Sequence, residues 1–500
     1  MKRILIRSGK SPFRVATPTE FIHQDLIGTN TGNLLFSDSA HKMLLTPNTE
    51  VTSNGIRTDH SAERAAEINE AYDVFVVPLA NAFRPQFQAS LDRLSTLIEQ
   101  LTIPVVVFGV GAQAGDDYET ERLKPMEGSV RRFAAAVLER SASIGVRGEL
   151  TARYLNSMGF EDTEIIGCPS MFLYGDTFPT IRDSGPLTTG SRIAINLSPD
   201  AIPVGDVSDI ARYAHEHYPN LTYYAQNLVD AETLLWGDTT VEAGGDNPFP
   251  LERSHPLMRE GKVRMPLDPA TWIRELGTYD FAYGTRIHGN VAALLAGTPS
   301  VVLTHDSRTL ELCRYFDIPH RPLSGLPADT DPRDLHEAAD FSAMLKGHRE
   351  RFERMTAFLD HNGLENTYQH GDGGAAYEAR VAGLELPESM RVWNGEDDGH
   401  LPYRIGRLRE RIAVTDDKVR TLTQKNRDLT TRLAAVEKKA TETATLRKEI
   451  SAAREELEAL RKQLAATTRR VDGIDRRVLV RVGPAIRRRA RKLSPQRTND

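Results

Sequence analysis

Through the first 320 residues, short continuous apolar runs alternate with helical periods, and this alternation constrains the fold more than any other feature. Strand candidates are DVFVVPL (73–79), IPVVVFGVG (103–111), ASIGVR (142–147), TEIIGC (163–168), RIAINLS (192–198), LTYYAQ (221–226), YDFAYGT (279–285) and SVVLTH (300–305), with ILI at 4–6 as a first strand. Several are apolar without alternating, as strands buried on both faces are. Segments such as LDRLSTLIEQL and SVRRFAAAVLERS lie between them with helical spacing. Such a chain is expected to form parallel sheets with helices on both faces.

Five hundred residues exceed one compact core. FPTIRDSGPLTTGS (178–191), rich in Pro, Gly, Thr and Ser, interrupts the alternation, and a fresh strand follows. The expected organisation is an N-terminal Rossmann-like lobe over residues 1–180 and a second over 190–370, with ligands bound where strand C-termini meet loops. An amphipathic helix ending at Asn362-Gly363 should close the second lobe. A Gly-rich, acidic linker is expected over 371–402.

No proline occurs between Pro402 and Pro484, and Ile405, Leu408, Ile412, Val419, Leu422, Leu429, Leu433 and Val436 fit heptad a and d positions. A second phase runs through Leu446, Ile450, Ala453, Leu457, Leu460 and Leu464, displaced by one three-residue stammer. Asn426 at an a position favours a parallel homodimer in one register. A long coiled-coil helix over 403–466 is therefore expected; the alternative is a solvated charged helix. The basic tail, 467–500, holds most of a charge asymmetry: from Arg469 onward eleven Lys/Arg face three Asp, although the whole chain is at −6. It is expected to be disordered, or to meet anionic lipid or polysaccharide, or nucleic acid without sequence specificity.

Only two cysteines, Cys168 and Cys313, are present, which argues against a disulfide framework or a cysteine-built zinc site. The N-terminal apolar run is too short for a signal-peptide core, and no window approaches 18 apolar residues. The expected location is the cytoplasm, at the inner face of the membrane if the tail binds lipid.

In YGTRIHGNVAALLAGTPSVV (283–302) a strand runs into a helix through a turn carrying Thr285, Arg286 and His288. The free N–H groups and the dipole of a helix start favour an anion. The Arg286 guanidinium adds a fork suited to carboxylate or phosphate. His288 can exchange a proton near neutral pH, and Gly289 is expected to keep the approach open. The plainer reading is that Arg286 pairs with a carboxylate and His288 caps the helix.

This block, with the strand and helix after it, resembles the signature of the polysaccharide pyruvyl transferase family: a small-residue turn, Arg-x-His-Gly, an Ala-rich helix, Gly-x-Pro and a short strand. GNLLFSDSAHKML is similar to the family's Gly-Asn opening, PVVVFGVGAQ to its second glycine-bearing strand, and SIGVRGELTARYLNSMGFEDTEIIGCPSMF to its Arg-acidic-x-Ser/Thr helix and Gly-Cys-Pro-Ser turn. Together they span roughly residues 28–325. The resemblance implies two Rossmann-like, GT-B-like lobes. It also implies transfer of the pyruvyl group of phosphoenolpyruvate, as co-substrate, to two hydroxyls of a glycan, giving a cyclic ketal with no metal or cofactor. Arg286 and Arg147 would hold the two anionic groups, and His288 would act as acid or base. Gly32 and Asn33 would offer backbone N–H groups to sugar or phosphate. Where many members have a glycine-rich turn this chain has YDVFVVPLANAFRP, leaving Asp73 and Asn81 as polar candidates.

Other signals are set aside. HEH (215–217) has no partners spaced for a metal, DTD (329–331) precedes a proline and starts a helix, and GVGAQAG (109–115) lacks the acidic residue of a dinucleotide site. Two rival readings stand beside the transferase: a GT-B glycosyltransferase using a nucleotide sugar, and a non-catalytic glycan-binding scaffold. Phosphate release from phosphoenolpyruvate in the presence of glycan separates them.

Overall fold

The structure, a computed structural model, describes residues 1–114, 120–236, 250, 255–440 and 449–471. Two compact units divide the chain, Met1–Val392 and Trp393–Asp500.

In the first unit, β1 (Lys2–Ile6), β2 (Thr49–Ser53), β3 (Val74–Pro78) and β4 (Val105–Phe108) form a parallel sheet in the order β2-β1-β3-β4. A parallel pair, β5 (Ile144–Val146) and β6 (Thr163–Ile165), continues it through a bridge between Val110 and Val146. The second sheet comprises β7 (Ile193–Asn196), β8 (Leu221–Tyr224), β9 (Val263–Arg264), β10 (Phe281–Gly284), β11 (Ser300–Thr304) and β12 (His320–Pro322). Its order, β12-β11-β10-β7-β8-β9, is the Rossmann order, and every pairing is parallel. The two doubly wound lobes match the expectation.

The unalternating strands follow from burial on both faces. Ile4 and Ile6 of β1, with Val74 and Val76 of β3, join one apolar core, while Leu5, Phe75 and Val77 join the other. The first core also takes in Ala194, Trp272 and Val291 from the second lobe, so the lobes share it. At its centre lies the helix Gly32–Leu44, twelve of whose thirteen residues are buried.

The helix Ser342–His361 departs from expectation. It leaves the second lobe, where Arg351 donates to the carbonyl of Phe316 at 3.2 Å, and ends on the first. There Phe358 packs edge-on against Phe108 at 5.7 Å, Asn362 accepts from the amide of Ala142 at 3.1 Å, and Lys2 Nζ donates to the carbonyl of Gly363 at 2.7 Å. The apolar stripe that suggested a lid for the second lobe serves both. Nor are residues 371–402 only a linker. They carry the helix Ala375–Ala382 with Tyr377 buried, and an antiparallel bridge joins Met390 to Met265.

In the second unit the helix Leu401–Ala440 has the expected stripe: Ile405, Leu408, Ile412, Val419, Leu422, Asn426, Leu433 and Val436 are half-buried and Leu429 is buried. Residues 449–471 are helical but do not continue it, contrary to the single helix with a stammer. Arg454 donates to Glu437 at 2.6 Å, although 17 residues of straight helix would separate them by about 25 Å. The start of the second stretch therefore comes back to the end of the first. Leu446 and the tail from residue 472 lie outside the described residues. A chain ending at Val392 is expected to unfold cooperatively in a thermal melt followed by circular dichroism; a chain without a transition would show that the first unit needs the second.

No helix among the described residues is long and apolar enough to cross a membrane. Asp331 caps the helix Pro332–Glu337, which is the role of the DTD segment. His215 pairs with Glu260 at 3.0 Å, and no cluster of three or more metal-ligating side chains occurs among the described residues.

Candidate functional site

A doubly wound sheet opens a crevice where its strand order reverses. In the first lobe that point lies between β1 and β3, and in the second between β7 and β10. A cavity of about 350 Å³ is lined by residues just beyond those strand ends, among them Arg7, Asn81, Ser198 and Arg286.

The turn after β10 is held rigidly. At Gly284, with φ +153°, a Cβ would lie 1.9 Å from the carbonyl oxygen of Asn196, so only glycine lets β10 close on β7. Thr285 is buried and its hydroxyl accepts from the amide of Ser198 at 2.7 Å. The amide of Arg286 donates to Asn196 Oδ1 at 3.0 Å, its Nε to the carbonyl of Leu197 at 3.2 Å and its Nη2 to Asn227 Oδ1 at 2.8 Å. Asn290, one turn into the helix Ile287–Leu295, donates to the carbonyls of Gly284 and Arg286 at 3.0 and 2.9 Å.

His288 lies on the first turn of that helix, 8% exposed, with Nε2 3.5 Å from the Cys168 sulfur and its ring against Phe36. Cys168 in turn accepts from the Ser170 hydroxyl at 3.1 Å, so the Gly-Cys-Pro-Ser turn ends on the histidine. A Cβ on Gly32 would sit 2.6 Å from His288 Nδ1, so the glycine lets the two helix starts meet. Burial, reinforced by Arg147, pushes the His288 pKa down to about 3, so the ring is neutral at neutral pH.

Arg147 follows β5, 3% exposed, and donates from Nε to the carbonyl of Gly109 at 3.0 Å. Arg7, after β1, donates to the carbonyl of Ile56 at 3.1 Å and leaves its buried Nε without a partner; Arg84 Nε is likewise unpartnered. Burial lowers the pKa of Arg7 to about 10 and also lowers those of Arg84, Arg147 and Arg286, yet all four stay charged at neutral pH. Arg7, Arg84, Arg147 and Arg286 form no ion pair among the described residues, whereas the fifth arginine, Arg308, pairs with Asp306. His305, just past β11, also lines the cavity, and neither ring nitrogen has a hydrogen-bond partner. Burial lowers its pKa as well.

The cavity thus gathers Arg286, His288, Arg147, Thr285, Asn33 and Asn81 from the residues singled out in sequence. Three expectations change. Asp73 precedes β3, at the end of the strand away from the cavity, and binds Arg3 at 2.8 Å, which holds its carboxyl down to about 2. The amides of Gly32 and Asn33 are spent on the Asn30 side chain and carbonyl at 2.8 and 3.0 Å, so they are not free for a ligand. Gly289 is buried, and a Cβ there would meet Gln226 at 2.6 Å; its smallness serves packing rather than access. Asn81 donates to Gln113 at 2.9 Å but keeps a buried, unpartnered Oδ1. Arg7, Arg84 and His305 escaped the reading in sequence. The signal that finds Arg7 and His305 is their place directly after a strand.

The sequence model of the family described as polysaccharide pyruvyl transferase matches residues 30–307. The chain belongs to the polysaccharide pyruvyl transferase family. Its members are transferases, and the matched span contains Arg147, Arg286, His288 and His305. No curated protein matches the chain. Among solved structures, S. aureus MnaA with UDP is similar at 12% identity over 78% of this chain and 99% of its own, TM-score 0.35. The Methanocaldococcus jannaschii UDP-GlcNAc 2-epimerase gives 8% over 72% and 99%, TM-score 0.35, and the E. coli heptosyltransferase WaaC 8% over 61% and 88%, TM-score 0.24. These likenesses are too slight to carry an argument about this pyruvyl transferase family member.

The neutral state of His288 has a direct check. Ring nitrogen shifts in NMR should show a neutral imidazole down to about pH 5 in the empty protein, because its pKa is depressed rather than raised. A bound anion favours the imidazolium, so an anionic ligand should move the titration upward. A ring already charged at pH 6 without ligand would contradict this.

Proposed function

We propose that the cavity binds phosphoenolpyruvate and transfers its pyruvyl group to two hydroxyls of one sugar of a cell-envelope or extracellular polysaccharide, or of its precursor, in the cytoplasm. One observation carries this reading: four arginines without ion-pair partners among the described residues line one cavity. Buried cations need counter-charge, and phosphoenolpyruvate brings a phosphate and a carboxylate together.

In the first step a sugar oxygen bonds to the central carbon of the enol, the methylene carbon gains a proton, and the sugar hydroxyl loses one. In the second, the other sugar oxygen bonds to the same carbon as the carbon–oxygen bond to phosphate breaks, and its proton goes to the departing phosphate, releasing inorganic phosphate and completing the ketal. His288 and His305, neutral when the site is empty, suit proton removal from the hydroxyls. An imidazole that has taken a proton can then deliver it to the methylene carbon, because bound phosphate favours its charged form. Arg286 and Arg147 neutralise the phosphate as it leaves.

Incubation with labelled phosphoenolpyruvate and a panel of cell-envelope glycans tests the reading. Label entering the glycan with stoichiometric phosphate supports it, and binding of a nucleotide sugar without use of phosphoenolpyruvate overturns it. Replacing Arg286 by Lys keeps the charge but loses the fork now divided between Leu197, Asn227 and the cavity. Affinity for phosphoenolpyruvate, read by titration calorimetry, should fall by about 1.5–3 kcal/mol. Unchanged affinity would remove Arg286 from the binding site.

A further inference from the structure

The Gly-Cys-Pro-Ser turn ends on His288, yet the transfer chemistry gives its sulfur no part. Gly167, with φ +73°, turns the chain after β6, and a Cβ there would run into the ring of Phe316. Tyr315 Oη donates to the carbonyl of Ile165 at 3.1 Å, so the turn is also held from the second lobe. Cys168 follows, 2% exposed and extended in backbone, just before the short 3-10 helix Pro169–Phe172. Its sulfur accepts from the Ser170 hydroxyl at 3.1 Å and lies 3.5 Å from Nε2 of His288. The two residues belong to different lobes and stand 120 positions apart, so the contact forms only when the lobes dock.

This contact separates the two ring nitrogens of a histidine that lines the arginine cavity. Nε2 is turned to the sulfur. Nδ1 lies beside Gly32, where an added Cβ would sit 2.6 Å from it. It makes no hydrogen bond among the described residues, yet it is not one of the side-chain nitrogens sealed from solvent. A group entering from the cavity therefore meets Nδ1. A neutral imidazole carries one proton, and only its bare nitrogen can act as a base. Either Nε2–H donates to the sulfur and Nδ1 is bare, or the thiol donates to Nε2 and the ring proton sits on Nδ1. An imidazole N–H is a stronger donor than a thiol, and an unrestrained neutral histidine prefers its proton on Nε2. Both facts favour Nε2–H. When Nδ1 then gains a proton, the same contact becomes charge-assisted, so the sulfur supports the imidazolium as well as orienting the ring.

We propose that Cys168 is a positioning residue for His288: its sulfur accepts the Nε2–H bond, fixes the tautomer, and leaves the Nδ1 lone pair to the cavity as the site of proton exchange. The sulfur acts through the ring and touches no reacting atom. That the exchanged proton belongs to pyruvyl transfer rests on the transferase reading; the tautomer does not.

The test is nitrogen NMR of the full chain, in which protonated and bare imidazole nitrogens have well-separated shifts, read beside kcat and KM. His288→Gln identifies the ring's signals among the 14 histidines. In the wild type at neutral pH, without substrate, Nδ1 should be bare and Nε2 protonated. Cys168→Ala should draw the two shifts together as the tautomers mix. It should also lower kcat about two- to tenfold, the factor that goes with one neutral hydrogen bond, while KM for phosphoenolpyruvate holds. Cys168→Ser, whose hydroxyl can accept in the sulfur's place, should restore both. A packing role predicts the opposite order, since Ser brings a polar group into the apolar core that Cys168 joins and Ala does not. If Cys168→Ala fails to fold, Cys168→Val fills the sulfur's space without its lone pairs and suits the extended backbone. Nδ1 protonated in the wild type, a tautomer indifferent to loss of the sulfur, unaltered kcat in a variant whose tautomers mix, or a Ser variant that behaves like Ala overturns the proposal. A bare Nδ1 whose tautomers mix in Cys168→Ala, in a protein that consumes no phosphoenolpyruvate with any glycan, would sink the transferase reading and leave the sulfur's role standing. Pyruvyl transfer by a wild type whose Nδ1 is protonated would do the reverse.

Discussion

His288→Gln is expected to lower the turnover rate about 10²–10⁴-fold, the usual contribution of a general acid–base group. Gln matches the ring in size and hydrogen bonding but cannot carry a proton. Affinity for phosphoenolpyruvate should change little, because Arg286, Arg147, Arg7 and Arg84 remain around the cavity. Melting temperature is the control: Gln tolerates a first helical turn, and the site loses only the contacts with Cys168 and Phe36. Normal turnover would make the histidine structural and pass the proton chemistry to His305. A loss that merely tracks unfolding would say the same.

Arg147→Met is expected to separate binding from stability in opposite directions. With phosphoenolpyruvate bound, removing this guanidinium leaves an anionic group buried without its counter-charge, which typically costs about 3–5 kcal/mol. Calorimetric affinity should fall accordingly. In the empty protein the same guanidinium is 3% exposed, unpaired among the described residues and held by one hydrogen bond to Gly109. Replacing it with an apolar side chain of similar length removes a desolvated charge, so the ligand-free melting temperature should rise. A fall in both affinity and melting temperature would place Arg147 in the framework of β5 rather than in the site.

The central strands were legible because burial on both faces leaves little room for polar residues: β3, β4 and β7 are buried throughout. The strands missed, β2, β9 and β12, stand at sheet edges, where one side has no neighbour and the residues are partly exposed. Thr49–Ser53 and His320–Pro322 therefore lack the apolar run that marked the other strands. The site divided in a similar way. Arg286 and His288 stood out because their turn has a motif, whereas Arg7 and His305 are single polar residues after strands and gain meaning only when both sheets bring their C-terminal ends together. Gly289 was misread because a sequence does not tell a glycine that admits a ligand from one that admits Asn196 and Gln226. In the second unit the heptads gave the buried stripe correctly. The contact between Arg454 and Glu437 is one that no heptad encodes.

The return of the helix Ser342–His361 to the first lobe bears on how the chain is made. Phe108 and Ser143 belong to the first lobe, yet the side chains that cover or bind them, Phe358 and Asn362, follow more than two hundred residues later. The same holds for Lys2, whose ammonium waits for the carbonyl of Gly363. A ribosome delivers the first lobe's sheet long before it delivers this cover. The nascent chain must therefore carry a bare apolar face through synthesis of the entire second lobe, and the two lobes mature together rather than in order of emergence.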